Sequence, residues 1–182
     1  MLKKIYLIRH CEAEGQPSKA QLTAKGYNQA VELAEFFSTF NIDRIISSPF
    51  TRAIQSIQPL AEKIDIEIET DSRLTERVLS NIDLDDWLEK LKLTFDHLDL
   101  KYVGGESSLE AIQRIVEVVE EVFSGETENT IIVTHGNLMS QLINHYHKDF
   151  GFDEWQNLSN PDVFLLKNDN NNVLFERLWG EI

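Results

Sequence analysis

The sequence predicts an α/β fold: a three-layer α/β/α sandwich with a mainly parallel central sheet and a small helical cap. Strand-like apolar runs alternate with helix-period patterns along the chain, the order that builds parallel sheets. Two of the runs, Lys4–Ile8 and Thr130–Thr134, are nearly continuous in apolar or β-branched residues, as strands covered on both faces require. The chain has 182 residues, 42% of them apolar, enough for the core of a single domain spanning 1–182. A less regular stretch at about 72–104 is the candidate cap.

Lys4–Ile8 reads as the first strand. A secretory leader would need a longer apolar core and a small-residue cleavage site, and Arg9-His10-Cys11-Glu12 follows at once. Thr23–Phe40 reads as a helix capped by Thr23, with Tyr27, Ala30, Val31, Ala34 and Phe37 on its buried face. Arg44–Ser47 is a short strand ended by Pro49, and Thr51–Ile64 carries Ala53, Ile57, Leu60 and Ile64 in helical step. Ile66–Thr70 alternates like a strand. Within the cap, Trp87, Leu88, Leu91, Phe95 and Leu98 are spaced for an amphipathic helix, and Gly104-Gly105 closes the segment. Ser107 stands three residues before Glu110, a capping box, and opens a helix with Leu109, Ile112, Val116, Val119 and Phe123 on one face. After Thr130–Thr134 come a helix at Leu138–Tyr146 and two late strands, Val163–Leu166 and Val173–Leu178, around a solvated turn at Asn168–Asn172.

Seventeen Lys and Arg against 31 Asp and Glu give a formal net charge of −14. That acidity argues against nucleic acid or an anionic membrane surface as partner. No apolar run reaches the roughly 18 residues of a membrane span. The single cysteine, Cys11, excludes an internal disulfide and fits a reducing, cytoplasmic setting. Oligomeric state has no signal in the chain. Any anion site on so acidic a protein must supply strong local positive charge.

Three polar clusters supply it. Arg9-His10 follows the first strand, Ser47-Ser48-Pro49 with Arg52 follows the second, and His135-Gly136-Asn137 follows Thr130–Thr134. Ligands of parallel sheets bind beyond the carboxyl ends of the strands, so folding would gather two guanidiniums and two imidazoles. Guanidinium binds phosphate oxygens in pairs. Neutral imidazole can be a nucleophile, and imidazolium can donate to a developing negative charge. His135 and Gly136 also open a helix, whose first N–H groups favour an anion.

The motifs in the chain resemble those of the histidine phosphatase superfamily, the phosphoglycerate mutase-like proteins. They are LIRHCEAEGQ at Leu7–Gln16, LTAKGYNQA at Leu22–Ala30, SSPFTRAIQS at Ser47–Ser56, LTE at Leu74–Glu76, GGES at Gly104–Ser107 and VTHGN at Val133–Asn137. The resemblance implies that His10 is the phosphoryl acceptor, that Arg9 and Arg52 bind the phosphoryl oxygens, and that His135 donates to the transferring group. It maps the acid that protonates the leaving oxygen to Glu76, which partial burial under the cap would keep protonated. Glu12, two residues after His10, is the rival acid, and a surface pairing of Glu76 with Arg77 is the plain structural alternative. Gln16 stands where some relatives place an asparagine that touches phosphate, and a loop contact to backbone is its alternative.

Cys11 replaces the usual glycine beside the acceptor. Its thiol either packs or, in a positive neighbourhood, is oxidisable. Ser56 replaces a usual threonine. His145 and His147 are two apart and suit a metal poorly, and His97 has no partner in sequence. Trp87, Phe95 and Tyr102 hint at an apolar wall in the cap. The function these features imply is a metal-independent, histidine acid phosphatase-like hydrolase of phosphomonoesters, with no cofactor and a small phosphorylated metabolite as partner. A phosphoglycerate or phosphosugar mutase using the same phosphohistidine is the alternative, and a non-catalytic binder of phosphorylated ligands is a third.

Overall fold

Residues 2–170 and 172–180 are described by a computed structural model. Strand β1 (Lys4–Arg9) lies at the centre of a six-stranded sheet of order β3-β2-β4-β1-β5-β6. It pairs in parallel with β4 (Asn129–Thr134), β4 pairs in parallel with β2 (Arg44–Ser47), and β2 holds the short edge strand β3 (Ile68–Thr70). On its other side β1 pairs antiparallel with β5 (Asp162–Asp169), which pairs with β6 (Asn172–Arg177). The expected three-layer sandwich on a mainly parallel sheet is what forms.

Side chains alternate across the sheet with a period of two. Tyr6, Ile8, Ile45, Ile131 and Val133 pack under α1 (Ala24–Phe36) and α2 (Thr51–Ile64). Ile5, Leu7, Ile46 and Ile132 pack under α4 (Ser108–Ser124) and α5 (Gly136–Tyr146). Each fully withdrawn Ile or Leu contributes roughly 1.5–3 kcal/mol, which is why both layers of helices stay on the sheet. Between β3 and α4 the chain makes a single 3₁₀ turn at Ser72–Leu74 and the helix α3 (Trp87–Asp96). Among the described residues no helix is long and apolar enough to cross a membrane.

Several elements differ from the sequence pattern. A short helix, α6 (Phe152–Gln156), has no periodic signal and was not expected. β3 begins at Ile68 rather than Ile66, because the Ile66 N–H still closes α2 by donating to the Ala61 carbonyl at 3.1 Å. The Asn168–Asn172 turn is partly strand: β5 runs to Asp169 and β6 starts at Asn172, with Asn171 outside the described residues.

The buried face of α1 is Gly26, Ala30, Leu33 and Ala34, so Tyr27 and Val31 point outward at 44% and 54% exposure. The roll of α1 is set at its first turn. Thr23 Oγ1 accepts the Gly26 N–H at 3.0 Å, and Gly26 lies against the Glu12 carbonyl, where a Cβ would collide with backbone. In an open helix Gly→Ala stabilises by about 1 kcal/mol. Here Gly26→Ala is expected to destabilise by about 1–3 kcal/mol, because the loop after His10 must move. Urea unfolding checks the sign, and a gain in stability would show that α1 has room to spare.

Candidate active site

The parallel ladder continues past the strand ends. The His10 N–H donates to Thr134 O at 3.1 Å and the Ser48 N–H to Val133 O at 2.9 Å. Since Arg9 is in register with Thr134 and Ser47 with Val133, His10 and His135 stand level just past β1 and β4, and Ser48, just past β2, stands one residue back beside Thr134. The His10 and His135 rings meet edge to face with centroids 5.1 Å apart.

His10 is held by both ring nitrogens. Nδ1 lies 2.7 Å from the Cys11 carbonyl, so Nδ1 carries the proton and donates it there. That leaves the Nε2 lone pair to accept from Arg52 Nε at 3.3 Å. Burial pushes the His10 imidazole down to about 4, with Arg52 and Arg9 adding to the effect and the Cys11 carbonyl opposing it. The imidazole is therefore neutral until the pH falls through that value. A ¹³C–¹H NMR titration of the ligand-free protein is expected to show the His10 ring unchanged from pH 8 to pH 5 and titrating near about 4. An ordinary midpoint near about 6.5 would overturn the reading.

Arg52 is nearly fully buried and bridges to the loop after His10, donating from Nη1 to the Gln16 and Pro17 carbonyls at 3.0 and 2.9 Å. Its guanidinium also lies over the Phe50 ring, 5.1 Å from the centroid. Arg9 donates from Nη1 to the carbonyls of Leu158 and Ser159, both at 3.3 Å. Its Nε is buried without a partner and packs on Gly136, where a Cβ would stand 2.8 Å away. Gly136 thus lets the guanidinium lie flat on the first turn of α5.

His135 is fully buried, with Nε2 2.8 Å from Ser48 Oγ and Nδ1 unpartnered. The Phe50 N–H also donates to Ser48 Oγ, at 3.3 Å. Burial, then the charges of His10, Arg52, Arg114 and Arg9, hold His135 well below its ordinary range. It is a neutral donor in the free protein, not the imidazolium expected from its residue type.

Glu76 comes to the same turn from the other side. Its Oε1 accepts N–H from Arg77 at 2.8 Å and from Leu138 at 2.9 Å, and its Oε2 accepts from Asn137 at 3.1 Å. So two of the first three amides of α5, which the sequence pattern offers to an anion, go to this carboxylate, and that of Gly136 stands apart. Burial pushes Arg9 and Arg52 down, and the Glu76 charge opposes it at both. Glu76 makes no salt bridge to Arg77. That side chain turns away to the Glu106 carbonyl at 3.2 and 3.1 Å and to Thr94 Oγ1 at 3.1 Å.

Glu12, the rival acid, is occupied elsewhere: its carboxylate accepts from Thr23 Oγ1 at 2.9 Å and lies 3.7 Å from Lys25. Gln16 is exposed and reaches Arg52 through its carbonyl, not its side-chain amide. Cys11 is fully buried in the core under α1 and α2, and burial pushes its thiol up to about 12, so the packing alternative holds over the oxidisable one. Phe95 packs on Phe152 with centroids 6.0 Å apart, and the Tyr102 hydroxyl donates to Lys90 O at 3.1 Å. Those two rings hold α3 in place, and Trp87 is half exposed.

Sequence reasoning missed the roles of Ser48, Phe50 and Asn160. Phe50 packs edge to face on His135 with centroids 5.0 Å apart, and the Ser-Ser-Pro-Phe tract before Arg52 is the only sequence signal for it. Asn160 Nδ2 donates to the His10 carbonyl at 2.9 Å from the loop before β5, with no local signal at all.

The sequence model of the histidine phosphatase superfamily (branch 1) matches residues 5–178. A protein of Hydrogenobacter thermophilus, assigned provisionally as phosphoserine phosphatase 2, is 25% identical over 158 residues, 78% of this chain and 77% of that one. The probable phosphoglycerate mutase GpmB of Salmonella paratyphi A is 29% identical over 157 residues, 77% of this chain and 73% of that one. The crystal structure of phosphoserine phosphatase from Entamoeba histolytica, in complex with 3-phosphoglyceric acid, superposes with a TM-score of 0.78 at 20% identity, covering 98% of each chain.

Proposed function

Because the chain belongs to the histidine phosphatase superfamily (branch 1), we propose that it hydrolyses small phosphomonoesters by way of a phosphohistidine on His10. The observation that carries this reading is the fixed tautomer of His10, with Nδ1–H on the Cys11 carbonyl and the Nε2 lone pair turned to Arg52. The phosphoryl group sits between Arg9, Arg52 and His135, and its oxygens meet the unpartnered Arg9 Nε and His135 Nδ1. Phosphoryl transfer needs positioning and charge stabilisation more than covalent chemistry, and these groups supply both.

In the first step His10 Nε2 attacks phosphorus and the bond from phosphorus to the ester oxygen breaks. The departing oxygen takes a proton from Glu76. Oε1 of Glu76 accepts two N–H bonds and Oε2 one, so Oε2 is the atom with room for that proton. In the second step Glu76 takes a proton from water, the oxygen attacks phosphohistidine, and phosphate leaves with His10 restored.

The segment 72–104 serves as the cap over this pocket within a single domain, and the substrate is a small phosphorylated metabolite, as in the 3-phosphoglyceric acid complex of the Entamoeba histolytica phosphatase. One reduced cysteine buried in the core supports a cytoplasmic setting. The likeness to the GpmB protein favours one second reading, a mutase that returns the phosphoryl group to substrate.

Incubation with a panel of phosphate esters, chelator present, decides between them. Net release of inorganic phosphate is expected. Conversion of one phosphoglycerate isomer to the other without net release would establish the mutase, and absence of turnover on every ester would overturn both.

A further inference from the structure

Arg114 lies in the second turn of α4 and makes no hydrogen bond to any residue of the phosphate pocket. It is nonetheless wired to both flanks of Glu76. Its Nη1 donates to the carbonyls of Arg73 at 2.6 Å and Thr75 at 2.7 Å, the chain just before Glu76. Its Nε and Nη2 donate to Glu106 Oε1 and Oε2 at 2.9 and 2.7 Å, a bidentate pair with side chains only 19% and 21% exposed.

Glu106 in turn holds the chain just after Glu76. Its Oε2 accepts the Val78 N–H at 3.0 Å, its own N–H donates to Val78 O at 2.8 Å, and its carbonyl accepts Arg77 Nε and Nη2. Burial works against the Glu106 carboxylate, but the Arg114 and Val78 hydrogen bonds outweigh it and hold the group below its usual range. A desolvated, bidentate ion pair is stiff, and here it grips residues 73, 75, 77 and 78 at once. Of that run it leaves free only Leu74, which is buried in the core, and Glu76, whose carboxylate reaches the amides of α5.

We infer that the Arg114–Glu106 pair is the positioning device for the general acid: it sets where Glu76 stands against the leaving oxygen without touching substrate. The inference rests on Glu76 being that acid. A displacement of about 1 Å at a catalytic group can cost on the order of 10²-fold, so the pair has leverage over the rate.

The test exploits the leaving group. Dinitrophenolate departs unprotonated, whereas an alkoxide needs the proton, so a misplaced acid harms only alkyl esters. Arg114→Gln and Glu106→Gln are compared with the wild-type protein on 2,4-dinitrophenyl phosphate and on an alkyl phosphate. The readout is kcat/KM, which reports transfer to His10 and not the later hydrolysis.

Both variants are expected to lose about 10- to 10²-fold on the alkyl ester and to change by less than about twofold on the aryl ester. Equal losses on the two esters would show a general structural role, and no loss on either would show no role; each overturns the inference. If Arg114→Gln does not fold, Glu106→Gln alone decides, since it keeps an acceptor for Val78 while breaking the charged pair. Glu76→Gln on the same esters separates the two levels. A loss falling mainly on the alkyl ester upholds Glu76 as the acid, and the Arg114 result then stands or falls by itself. An equal loss in Glu76→Gln removes the acid assignment and the inference with it.

Discussion

Alanine in place of His10 is expected to reduce phosphate-ester hydrolysis by about 10⁵- to 10⁶-fold, the scale of removing a covalent nucleophile whose partners act as a unit with it. Arg9, Arg52 and His135 would still bind the phosphoryl group, so affinity for inorganic phosphate should persist while turnover disappears. The fold should survive, because the ring is only partly buried and Arg52 keeps its bonds to the Gln16 and Pro17 carbonyls. The orphaned Cys11 carbonyl costs about 1–3 kcal/mol at most. The measurement is a rapid alkaline quench after mixing with a ³²P-labelled ester, since phosphohistidine survives base and not acid. Wild-type protein should carry label on the peptide containing His10, and the variant none. Label or turnover at wild-type levels in His10→Ala would remove the nucleophile assignment.

Replacing Glu76 with glutamine is expected to slow alkyl-ester hydrolysis by about 10²- to 10⁴-fold, the range of a general acid. The substitution keeps size and removes both the transferable proton and the charge. It also sets an NH₂ group against backbone N–H donors that now meet carboxylate oxygens, so the first turn of α5 loses an acceptor. That loss costs about 1–3 kcal/mol in stability, measurable by urea unfolding and separable from rate. With Glu76 also the base for water, labelled phosphohistidine should accumulate in the variant on an aryl ester whose first step is less impaired. Unchanged kcat on an alkyl phosphate would overturn the role. Prompt disappearance of the label would restrict Glu76 to the first step.

The elements read most closely from sequence are those whose pattern and packing agree. The spans of β2 and α2 and the capping box at Ser107 match their motifs residue for residue. The misjudged roll of α1 has a local cause that periodicity does not carry: Gly26 meets a carbonyl from another loop. The placements of Arg9, His10, Arg52 and His135 were legible because each ends or follows a strand whose direction and neighbours the β-α-β order dictates.

Glu76 was singled out in the sequence only by resemblance. What the sequence left open there was how its carboxylate is held, since the donors come from a helix that starts sixty residues later. Phe50, Ser48 and Asn160 act through ring packing and side-chain hydrogen bonds across long chain separations, for which one sequence has no code.

The order of runs and six short motifs were by themselves enough for the layered architecture and the family. Only the tertiary structure decided the proton on His10, the neutrality of His135, the burial of Cys11, and the grip of Arg114 and Glu106 on the chain around Glu76. Periodicity and residue type report which face is apolar and which group is charged. Tautomer, burial and hydrogen-bond direction depend on distances between segments, and those exist only once the chain has closed on itself.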